Sequence, residues 1–194
     1  MSKKQTILKG KNVVLRPLSL KDAPRFCKWL NDSEVTKFLN IYGQKSPTIN
    51  EERKWIQKSK KDPGKICFSI DTVDGTHIGS ISLSNMTGIN KDAEYGIFIG
   101  NKKYWGQGFG TEAGRLIIDY GFRKLKLHSI YLWFVAYNIR GQKSYDNLGF
   151  KKAGVLRENV YRNKCYHDAI LMDILIDEYL PAGRQGLKNK KKKI

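Results

Sequence analysis

The sequence predicts a single α+β domain over roughly residues 12–180, and three observations support that fold class. Segments with the spacing of strands are intermixed with segments with the spacing of helices. No internal repeat and no linker interrupts them. A hydrophobic fraction of 40% in 194 residues is enough for one compact core. The flanking segments are predicted to be a basic leader at 1–11 and a Lys-rich flexible tail at 181–194.

The first predicted elements are a strand and a helix. The apolar residues at 13–19 (VVLRPLS) indicate a strand. Asp22 then begins the helix-like segment 22–32. An aspartate in that position predicts an N-cap, because its carboxylate can accept from the unpaired main-chain N–H groups of the first turn. The domain is therefore expected to open with a strand followed directly by a helix.

A second helix and a β-hairpin are predicted next. The helix lies around 51–60, with Thr48 or Asn50 as its cap. The hairpin spans 65–83 and turns at Asp74-Gly75, a dipeptide that suits the positive φ angles of a tight β-turn. A turn dipeptide between two apolar, strand-like runs is the strongest local signal in this sequence.

The second half of the domain is predicted to add two strands, two helices and a closing hairpin. Alternation at 93–100 indicates a strand, and the segment TEAGRLIIDYGFRKL at 111–125 indicates a helix. The nearly continuous apolar run at 129–136 is typical of a strand that is buried on both faces. A helix capped by its first residue is expected over 138–149, and the segment 155–175 completes the domain as a hairpin.

Cysteine content and hydropathy exclude several classes of protein. Three widely spaced cysteines, Cys27, Cys67 and Cys165, form no Cys-x-x-Cys pair, so neither a zinc site nor a redox motif is predicted and no metal is expected. No stretch approaches the ~20 apolar residues that cross a bilayer, and the N-terminus lacks the apolar core of a signal peptide. The sequence therefore predicts a cytoplasmic protein without a membrane anchor.

A formal net charge of +18 makes a polyanion a candidate partner. Clustered lysine and arginine side chains attract phosphate backbones, so an RNA or a ribosome fits this charge. Part of the excess lies in the tail at 181–194, where a solvated extension is the simpler explanation. Charge alone leaves both interpretations open.

A glycine-rich stretch, WGQGFGTEA at 105–113, leads directly into the helix predicted at 111–125. Glycines leave main-chain N–H groups accessible, and a helix start adds unpaired N–H groups and a positive dipole end, so the stretch predicts a phosphate site. A Walker P-loop is excluded because its Gly-x-x-x-x-Gly-Lys-Ser/Thr pattern is absent. A Rossmann turn matches 108–113 formally, but the next strand ends in Tyr137-Asn138 rather than an acid. A loop that is merely flexible would explain the glycines but not the helix that follows them directly.

Three ordered blocks of this sequence together resemble the GNAT superfamily of N-acyltransferases. The first, 105–110, resembles the acetyl-CoA loop Arg/Gln-x-x-Gly-x-Gly/Ala, with Trp105 in the usual Arg/Gln position. The second, 138–150, is similar to the family's Asn-x-x-Ala…Tyr-x-x-x-Gly-Phe segment, and the third is YHDAILM at 166–172. The Trp-Gly-x-Gly run before Thr-Glu-Ala resembles the run found at this position in the RimJ/RimL-like branch of the superfamily.

The resemblance implies a fold, an activity and a set of cofactor contacts. The fold would be GNAT-like, with a mixed, mostly antiparallel central sheet and helices on both faces, and the cofactor would be acetyl-CoA. Main-chain amides at 98–100 would bind the pantetheine arm and polarise the thioester carbonyl, while the pyrophosphate would lie on the glycine loop. The cofactor-binding residues so implied are Phe98, Ile99, Gly100, Gln107, Gly108, Phe109, Gly110, Thr111 and Asn138.

Two side chains are candidates for proton transfer. By resemblance, Tyr145 is the acid that protonates the departing CoA thiolate, and its spacing of two helical turns from Asn138 puts both on one helix face. A phenol with an ordinary pKa of about 10 stays protonated at neutral pH, as that role requires. Glu94 is the candidate base, because it shares a strand face with Gly96 and Phe98. A solvent-facing acid at a strand end is the alternative for Glu94.

These inferences predict an N-acetyltransferase whose acceptor is a primary amine: a protein N-terminus, an amino sugar or a polyamine. The positive charge favours an anionic acceptor over spermidine, although Asp32, Glu34, Glu51 and Glu52 could counteract it near the cleft. The expected partners are acetyl-CoA, this acceptor and a ribosome or another polyanion, and the expected assembly is a monomer or homodimer. The alternative is a basic RNA- or ribosome-associated binding protein on a GNAT-like scaffold with little or no catalysis.

Overall fold

The structure, a computed structural model, describes residues 6–39, 43 and 45–179 of the chain. Within these residues, eight strands form a single sheet. The strands are β1 (Leu8–Lys9), β2 (Val13–Pro17), β3 (Ile66–Thr72), β4 (His77–Thr87), β5 (Asp92–Ile99), β6 (Ser129–Val135), β7 (Lys151–Arg162) and β8 (Cys165–Leu175). The tail predicted at 181–194 lies outside the described residues.

Helices connect the strands and cover the sheet. In the described part of the chain they are α1 (Ala23–Leu30), α2 (Ser33–Thr36), α3 (Ile49–Lys61), α4 (Phe109–Arg123), α5 (Ile139–Leu148) and α6 (Ile176–Tyr179), with 3-10 turns at Leu20–Asp22 and Lys102–Tyr104. Thr48 caps α3, where its hydroxyl accepts from the N–H of Glu51 at 3.3 Å. None of these described helices is long and apolar enough to span a membrane.

The strand order is β1-β2-β3-β4-β5-β6-β8-β7. Every neighbouring pair is antiparallel except β5 and β6, which run parallel, and this confirms the predicted mixed, mostly antiparallel sheet. β3 and β4 form the predicted hairpin, and Gly75 in its turn has a φ of +85°. β7 and β8 form the predicted closing hairpin.

The parallel contact between β5 and β6 is short. Asp92–Glu94 pair with Ser129–Tyr131, and beyond this pairing the two strands separate. β4 continues to accompany β5 as far as Ile99, and β8 accompanies β6 as far as Val135. The sheet is therefore split from this point into a β1–β5 half and a β6–β8 half, each with an inner edge that none of the eight described strands covers.

Apolar side chains cover both faces of the sheet. On one face, α4 contributes Ile117 to the larger core, which also contains Ile70 of β3. On the other face, α1 and α3 contribute Phe26 and Ile56 to a second core, against which Phe98 of β5 packs. Alternate residues of one strand thus reach different cores. Helices lie on both faces, as predicted.

Asp22 does not act as the predicted cap. It precedes α1 but its side chain makes no cap hydrogen bond. Its buried carboxylate instead accepts from the guanidinium of Arg16 at 2.8 Å and from the hydroxyl of Ser69 at 2.8 Å. Burial would raise the pKa of Asp22, but these hydrogen bonds and one from the N–H of Ser19 outweigh burial and hold the pKa below its usual range. Partners distant in sequence thus override the local capping signal.

Three elements also differ from expectation, two in their bounds and one in its burial. β1 lies within the predicted leader 1–11 and pairs antiparallel with β2, so part of that leader belongs to the sheet. α4 begins at Phe109, two residues before the predicted start, because Gly108 is its N-cap residue. In β6, only one face is fully buried, since Tyr131 and Trp133 remain partly exposed.

Candidate active site

A cavity of about 580 Å³ is formed where β5 and β6 separate. Its walls come from the end of β5, the glycine loop, the first turns of α5, and α2 with the segment after it. The walls consist of Ile97–Ile99; Tyr104–Gly106, Gly108, Gly110 and Thr111; Asn138–Gly141, Lys143–Tyr145 and Asn147; and Val35, Phe38 and Leu39. Most of the predicted site residues lie in these walls, whereas Glu94, Gly100, Gln107 and Phe109 do not.

The glycine loop presents its main chain to this cavity. Gly106 and Gly108 have φ angles of +73° and +85°, in the left-handed region, and a Cβ on either would have no heavy atom within 4 Å. The N–H of Glu112 is bonded inside α4, to the carbonyl of Gly108 at 2.9 Å. The three N–H groups before it, at 109–111, have no helical acceptor. Open space beside these donors at a helix N-terminus is suited to a pyrophosphate.

Trp105, which takes the usual Arg/Gln position, is held by two contacts. Its indole Nε1 donates to the carbonyl of Ile99 at 2.6 Å. The guanidinium carbon of Arg140 lies 3.9 Å from the centroid of the Trp105 ring, in a cation–π contact. Burial lowers the pKa of Arg140, which nevertheless stays cationic at neutral pH. Trp105 brings no cation of its own but holds Arg140 beside the glycine loop.

Main-chain groups of β5 point alternately to β4 and to the cavity. The N–H of Gly100 donates to the carbonyl of Ile78 of β4 at 2.9 Å. By alternation, the main-chain groups of Phe98 also point away from the cavity, and those of Ile97 and Ile99 point toward it. Of the N–H groups expected at 98–100, that of Ile99 faces the cavity, as does that of Ile97, and the side chain of Phe98 lines the cavity.

Three other predicted cofactor residues support the site without lining it. A Cβ at Gly100 would lie 2.1 Å from the ring of Trp29, so this glycine serves close packing. The side-chain amide of Gln107 donates to a main-chain carbonyl four residues earlier at 2.5 Å. The ring of Phe109 packs edge-on against Tyr104, with centroids 5.1 Å apart. These contacts shape the loop rather than the surface of the cavity.

Asn138 and the start of α5 form the wall opposite the β5 edge. The Asn138 side chain is 7% exposed, and its Oδ1 accepts from the N–H of Gly141 at 3.0 Å, which confirms it as the cap of α5. A Cβ at Gly141 would lie 2.5 Å from Nδ2 of Asn138, so the cap leaves no room for a side chain there. The hydroxyls of Thr111 and Ser144 are 3.1 Å apart and join the first turn of α4 to the second turn of α5.

Tyr145 lies in the cavity wall among aromatic rings. Its ring centroid is 5.4 Å from that of Phe134, 6.2 Å from that of Tyr95 and 6.3 Å from that of Phe150. Burial raises the pKa of Tyr145 to about 12. Its hydroxyl therefore stays protonated at any physiological pH, and a protonated phenol in the same wall as Asn138 can donate to an anion in the cavity.

Glu94 lies apart from these groups. It sits in the paired part of β5, opposite Tyr131 of β6, before the two strands separate. Its carboxylate accepts from the side-chain amide of Asn85 at 2.7 Å. The structure thus brings Tyr145 and Asn138 to one cavity and leaves Glu94 outside it.

The cavity contains cations and no carboxylate. All 18 acidic residues, all 3 histidines and all 3 cysteines of the chain lie in the described residues, and none lines the cavity. Arg140 and Lys143 do line it. Across the described residues, no group of three or more His, Cys, Asp and Glu side chains could hold a metal ion. The charged side chains in the walls are therefore all positive.

The four acids expected near the cleft are engaged elsewhere. Asp32 and Glu34 both bind Lys102, with 2.8 Å between its ammonium nitrogen and the Asp32 carboxylate. Glu51 accepts from the N–H of the α3 cap at 2.7 Å. Glu52 is buried at 6% exposure, and burial raises its pKa. None of them lines the cavity.

Several residues that line the cavity were not predicted from the sequence. Ile97 was missed because hydrophobic alternation assigns its side chain to the core and does not show the direction of its main chain. Arg140 stands inside the Asn-x-x-Gly block, but its stacking on Trp105 joins residues far apart in sequence. Phe38 and Leu39 follow a short helix that no pattern predicted.

A family model and the sequences of known proteins point to the same family for this chain. Residues 12–151 match the family model described as the acetyltransferase (GNAT) domain. The chain is 32% identical over 177 residues to probable N-acetyltransferase YjcK of Bacillus subtilis (strain 168), covering 87% of this chain and 97% of that protein. It is 29% identical over 169 residues to spermidine N(1)-acetyltransferase of Escherichia coli (strain K12), covering 87% of this chain and 89% of that protein.

A solved structure shares the fold. The crystal structure of spermidine N-acetyltransferase from Vibrio cholerae in complex with CoA and spermine matches with a TM-score of 0.81 and 26% sequence identity. The match covers 89% of this chain and 100% of that chain. Nearly the whole described domain therefore has a counterpart in a protein seen with CoA.

Proposed function

This chain belongs to the GNAT acetyltransferase family and is an acetyl-CoA-dependent N-acetyltransferase, and we propose that its acceptor is a primary amine on an uncharged or anionic molecule. The observation that carries this proposal is the absence of any carboxylate, among the chain's described residues, from the cavity walls. A polyamine keeps ammonium groups besides the one that reacts, and buried or half-buried cations need carboxylates nearby. An amino sugar or a peptide N-terminus makes no such demand.

The cofactor would be held by main-chain donors and two cations. The N–H groups at 109–111 would bind the pyrophosphate, with Arg140 and Lys143 supplying positive charge in the same walls. The N–H groups of Ile97 and Ile99 would meet the pantetheine arm and the thioester carbonyl. The acetyl group would then lie between the β5 edge and Tyr145.

The reaction we infer is direct transfer without an acyl-enzyme. The lone pair of the neutral amine attacks the thioester carbonyl carbon, and a main-chain N–H of β5 stabilises the oxyanion that develops. The carbon–sulfur bond then breaks, and the sulfur leaves with the bonding electrons and takes a proton from the hydroxyl of Tyr145. The new amide nitrogen loses its extra proton to water, and water restores the proton of Tyr145.

The pKa of Tyr145 is compatible with this role. A phenol with a pKa of about 12 is a weaker acid than a free thiol in water, so transfer to a solvated thiolate would be unfavourable. A thiolate formed in the same half-buried wall is desolvated too, and desolvation raises the pKa of a thiol. The two groups are thereby brought closer in acidity, and a strong hydrogen bond to the developing thiolate contributes before the proton moves.

A polyamine acceptor is the second candidate, because the chain is 29% identical to a spermidine N(1)-acetyltransferase. An acceptor screen distinguishes the two. Release of free CoA from acetyl-CoA would be followed with a peptide N-terminus, an amino sugar, an amino sugar linked to phosphate, and spermidine. We expect kcat/KM for the best uncharged or anionic acceptor to exceed that for spermidine by about tenfold or more, since the cavity walls offer no carboxylate to the remaining ammonium groups of a polyamine. A clear preference for spermidine would overturn the proposed acceptor class and leave the enzyme class intact.

The pH profile gives a second test. We expect kcat/KM for the acceptor to rise with pH and to level off near the pKa of the acceptor amine itself, because only the neutral amine attacks and the walls offer no histidine, cysteine or carboxylate. Tyr145, with a pKa of about 12, keeps its proton over that range, so it causes no loss on the alkaline side. The check uses two acceptors whose amine pKa values differ by about one unit. An inflection fixed at one pH for both would reveal a base on the enzyme.

Two finer expectations remain proposals. The RimJ/RimL-like assignment rests on the Trp-Gly-x-Gly run before Thr111-Glu112-Ala113, and it would favour a protein N-terminus as the acceptor. Binding to a ribosome or another polyanion rests on the net charge of +18. A basic surface of this kind would serve the enzyme by attracting an anionic acceptor or its carrier, so it needs no separate, non-catalytic function.

A further inference from the structure

The tip of the β7–β8 hairpin carries a buried arginine. Asn163 and Lys164 form the turn with φ angles of +52° and +62°, and Arg162 precedes them at the end of β7. Arg162 is 5% exposed and lies two residues from buried Val160, on the same strand face. A charged side chain at that depth requires hydrogen-bond acceptors in the protein.

The acceptors are carbonyl groups of the segment that follows α2. Nη1 of Arg162 donates to the carbonyl of Lys37 at 2.8 Å, and Nη2 donates to the carbonyl of Leu39 at 2.9 Å. The planar guanidinium therefore bridges the main chain on either side of Phe38. Held in this way, the ring of Phe38 packs against Tyr137, with centroids 5.7 Å apart.

Phe38 and Leu39 belong to the cavity wall, together with Val35. The side chains that this segment contributes to the wall are apolar, and the ammonium of Lys37 lies 5.4 Å from the ring centroid of Phe38. The glycine loop and α5 would hold the phosphates of acetyl-CoA, and the β5 edge would hold its pantetheine arm. Among the described walls, the one formed by Val35, Phe38 and Leu39 then remains for the acceptor. Arg162 does not line the cavity itself, so it can act on the acceptor only through this segment.

We propose that Arg162 is a positioning residue that fixes the acceptor wall, so that the β7–β8 hairpin governs how the acceptor binds. The inference rests on the proposed function, since it needs an acceptor that enters beside Tyr145. Two charge-assisted hydrogen bonds to the main chain set the position of Phe38 and Leu39 more firmly than packing alone. Loss of these two hydrogen bonds should therefore weaken binding of the acceptor and leave binding of acetyl-CoA unchanged.

The kinetic test uses the full chain with Arg162→Gln. We expect KM for the acceptor to rise about tenfold or more, while kcat and the dissociation constant for acetyl-CoA change less than about twofold. Arg162→Lys should give an intermediate effect, because an ammonium keeps the charge but lacks the planar fork that reaches two carbonyls. Arg157→Gln is the matched control, an exposed arginine on the same strand, and it should leave all three constants unchanged.

A second readout needs no acceptor. The N–H of Lys37 donates to the carbonyl of Ser33 at 2.9 Å, and the N–H of Leu39 donates to the carbonyl of Thr36 at 2.8 Å. We expect hydrogen exchange of these two amides to accelerate about tenfold or more in Arg162→Gln, with exchange in β3 and β4 unchanged.

Three results would overturn the inference. Unchanged exchange at 33–39 would show that Arg162 does not fix the segment, and equal acceleration in β3 would show a general loss of stability. Faster exchange at 33–39 with an unchanged acceptor KM would show that the segment does not position the acceptor. A wild-type enzyme that acetylates no amine in the screen would instead remove the proposed function, and the exchange comparison would still decide what Arg162 holds.

Discussion

Replacement of Tyr145 by phenylalanine is expected to lower kcat about 100-fold, with KM for acetyl-CoA little changed. The substitution keeps the ring and its contacts with Phe134, Tyr95 and Phe150 but deletes the hydroxyl. Cofactor binding should therefore survive while the departing thiolate loses its proton donor. A 100-fold loss corresponds to about 2.7 kcal/mol in the activation barrier, within the range of one general acid. Single-turnover kinetics would establish that chemistry limits the measured rate.

Two control variants make this result specific. Tyr104→Phe removes a hydroxyl from another tyrosine of the same cavity and should leave kcat within about twofold. Glu94→Gln removes the carboxylate outside the cavity and should also have a small effect, below about threefold, because Glu94 is bonded to Asn85 and lines no wall. A Tyr145→Phe enzyme that retains more than about half of wild-type kcat would exclude Tyr145 as the acid and leave water in that role. A larger loss in Glu94→Gln than in Tyr145→Phe would restore Glu94 as the base.

Substitution of Gly108 by valine is expected to weaken acetyl-CoA binding more than tenfold. Gly108 has a φ of +85° and no heavy atom within 4 Å of a built Cβ, so a branched side chain would occupy the space that the pyrophosphate needs. A β-branched residue is also strained at that φ, and the strain by itself would lower the free energy of unfolding. Calorimetric titration with acetyl-CoA would separate the loss of binding space from the backbone strain when a control variant carries the same strain.

Gly75→Val provides that match. Gly75 also has a φ of +85° and open space around its Cβ position, but it lies in the β3–β4 turn, away from the cavity. Both variants should lose similar thermal stability, and only Gly108→Val should lose affinity for acetyl-CoA. Equal affinity in the two variants would contradict a phosphate site at the glycine loop.

The predictions from sequence succeeded where signals are local. The Asp74-Gly75 turn, the cap at Asn138 and the glycines before α4 each involve a few neighbouring residues, and each appears in the structure as expected. Which N–H groups of β5 face the cavity could not be predicted. Their direction depends on which side of the strand pairs with β4, and this is a property of the ladder and not of the side-chain pattern.

Long-range partners account for the other differences. Asp22 has the residue type of a cap, yet Arg16 and the sequence-distant Ser69 turn its carboxylate into the centre of a buried network. Arg162 has the residue type of a surface charge, yet it is buried and donates to carbonyl groups more than 100 residues away in the sequence. In both cases a buried polar side chain needs a hydrogen-bond partner, because burial without one costs free energy. Only the assembled fold determines which partner lies within reach.

The short pairing of β5 and β6 has a consequence for how this domain unfolds. Three residues of each strand cannot by themselves hold two half-sheets together, so their joint integrity depends on elements that touch both. α4 is such an element, because it packs on β2, β4 and β5 of one half and on β6 of the other. Its N-terminus is also the proposed phosphate site. On that proposal, cofactor affinity and folding cooperativity depend on one helix, and a substitution on the apolar face of α4 that loosens the two halves would reduce both quantities together.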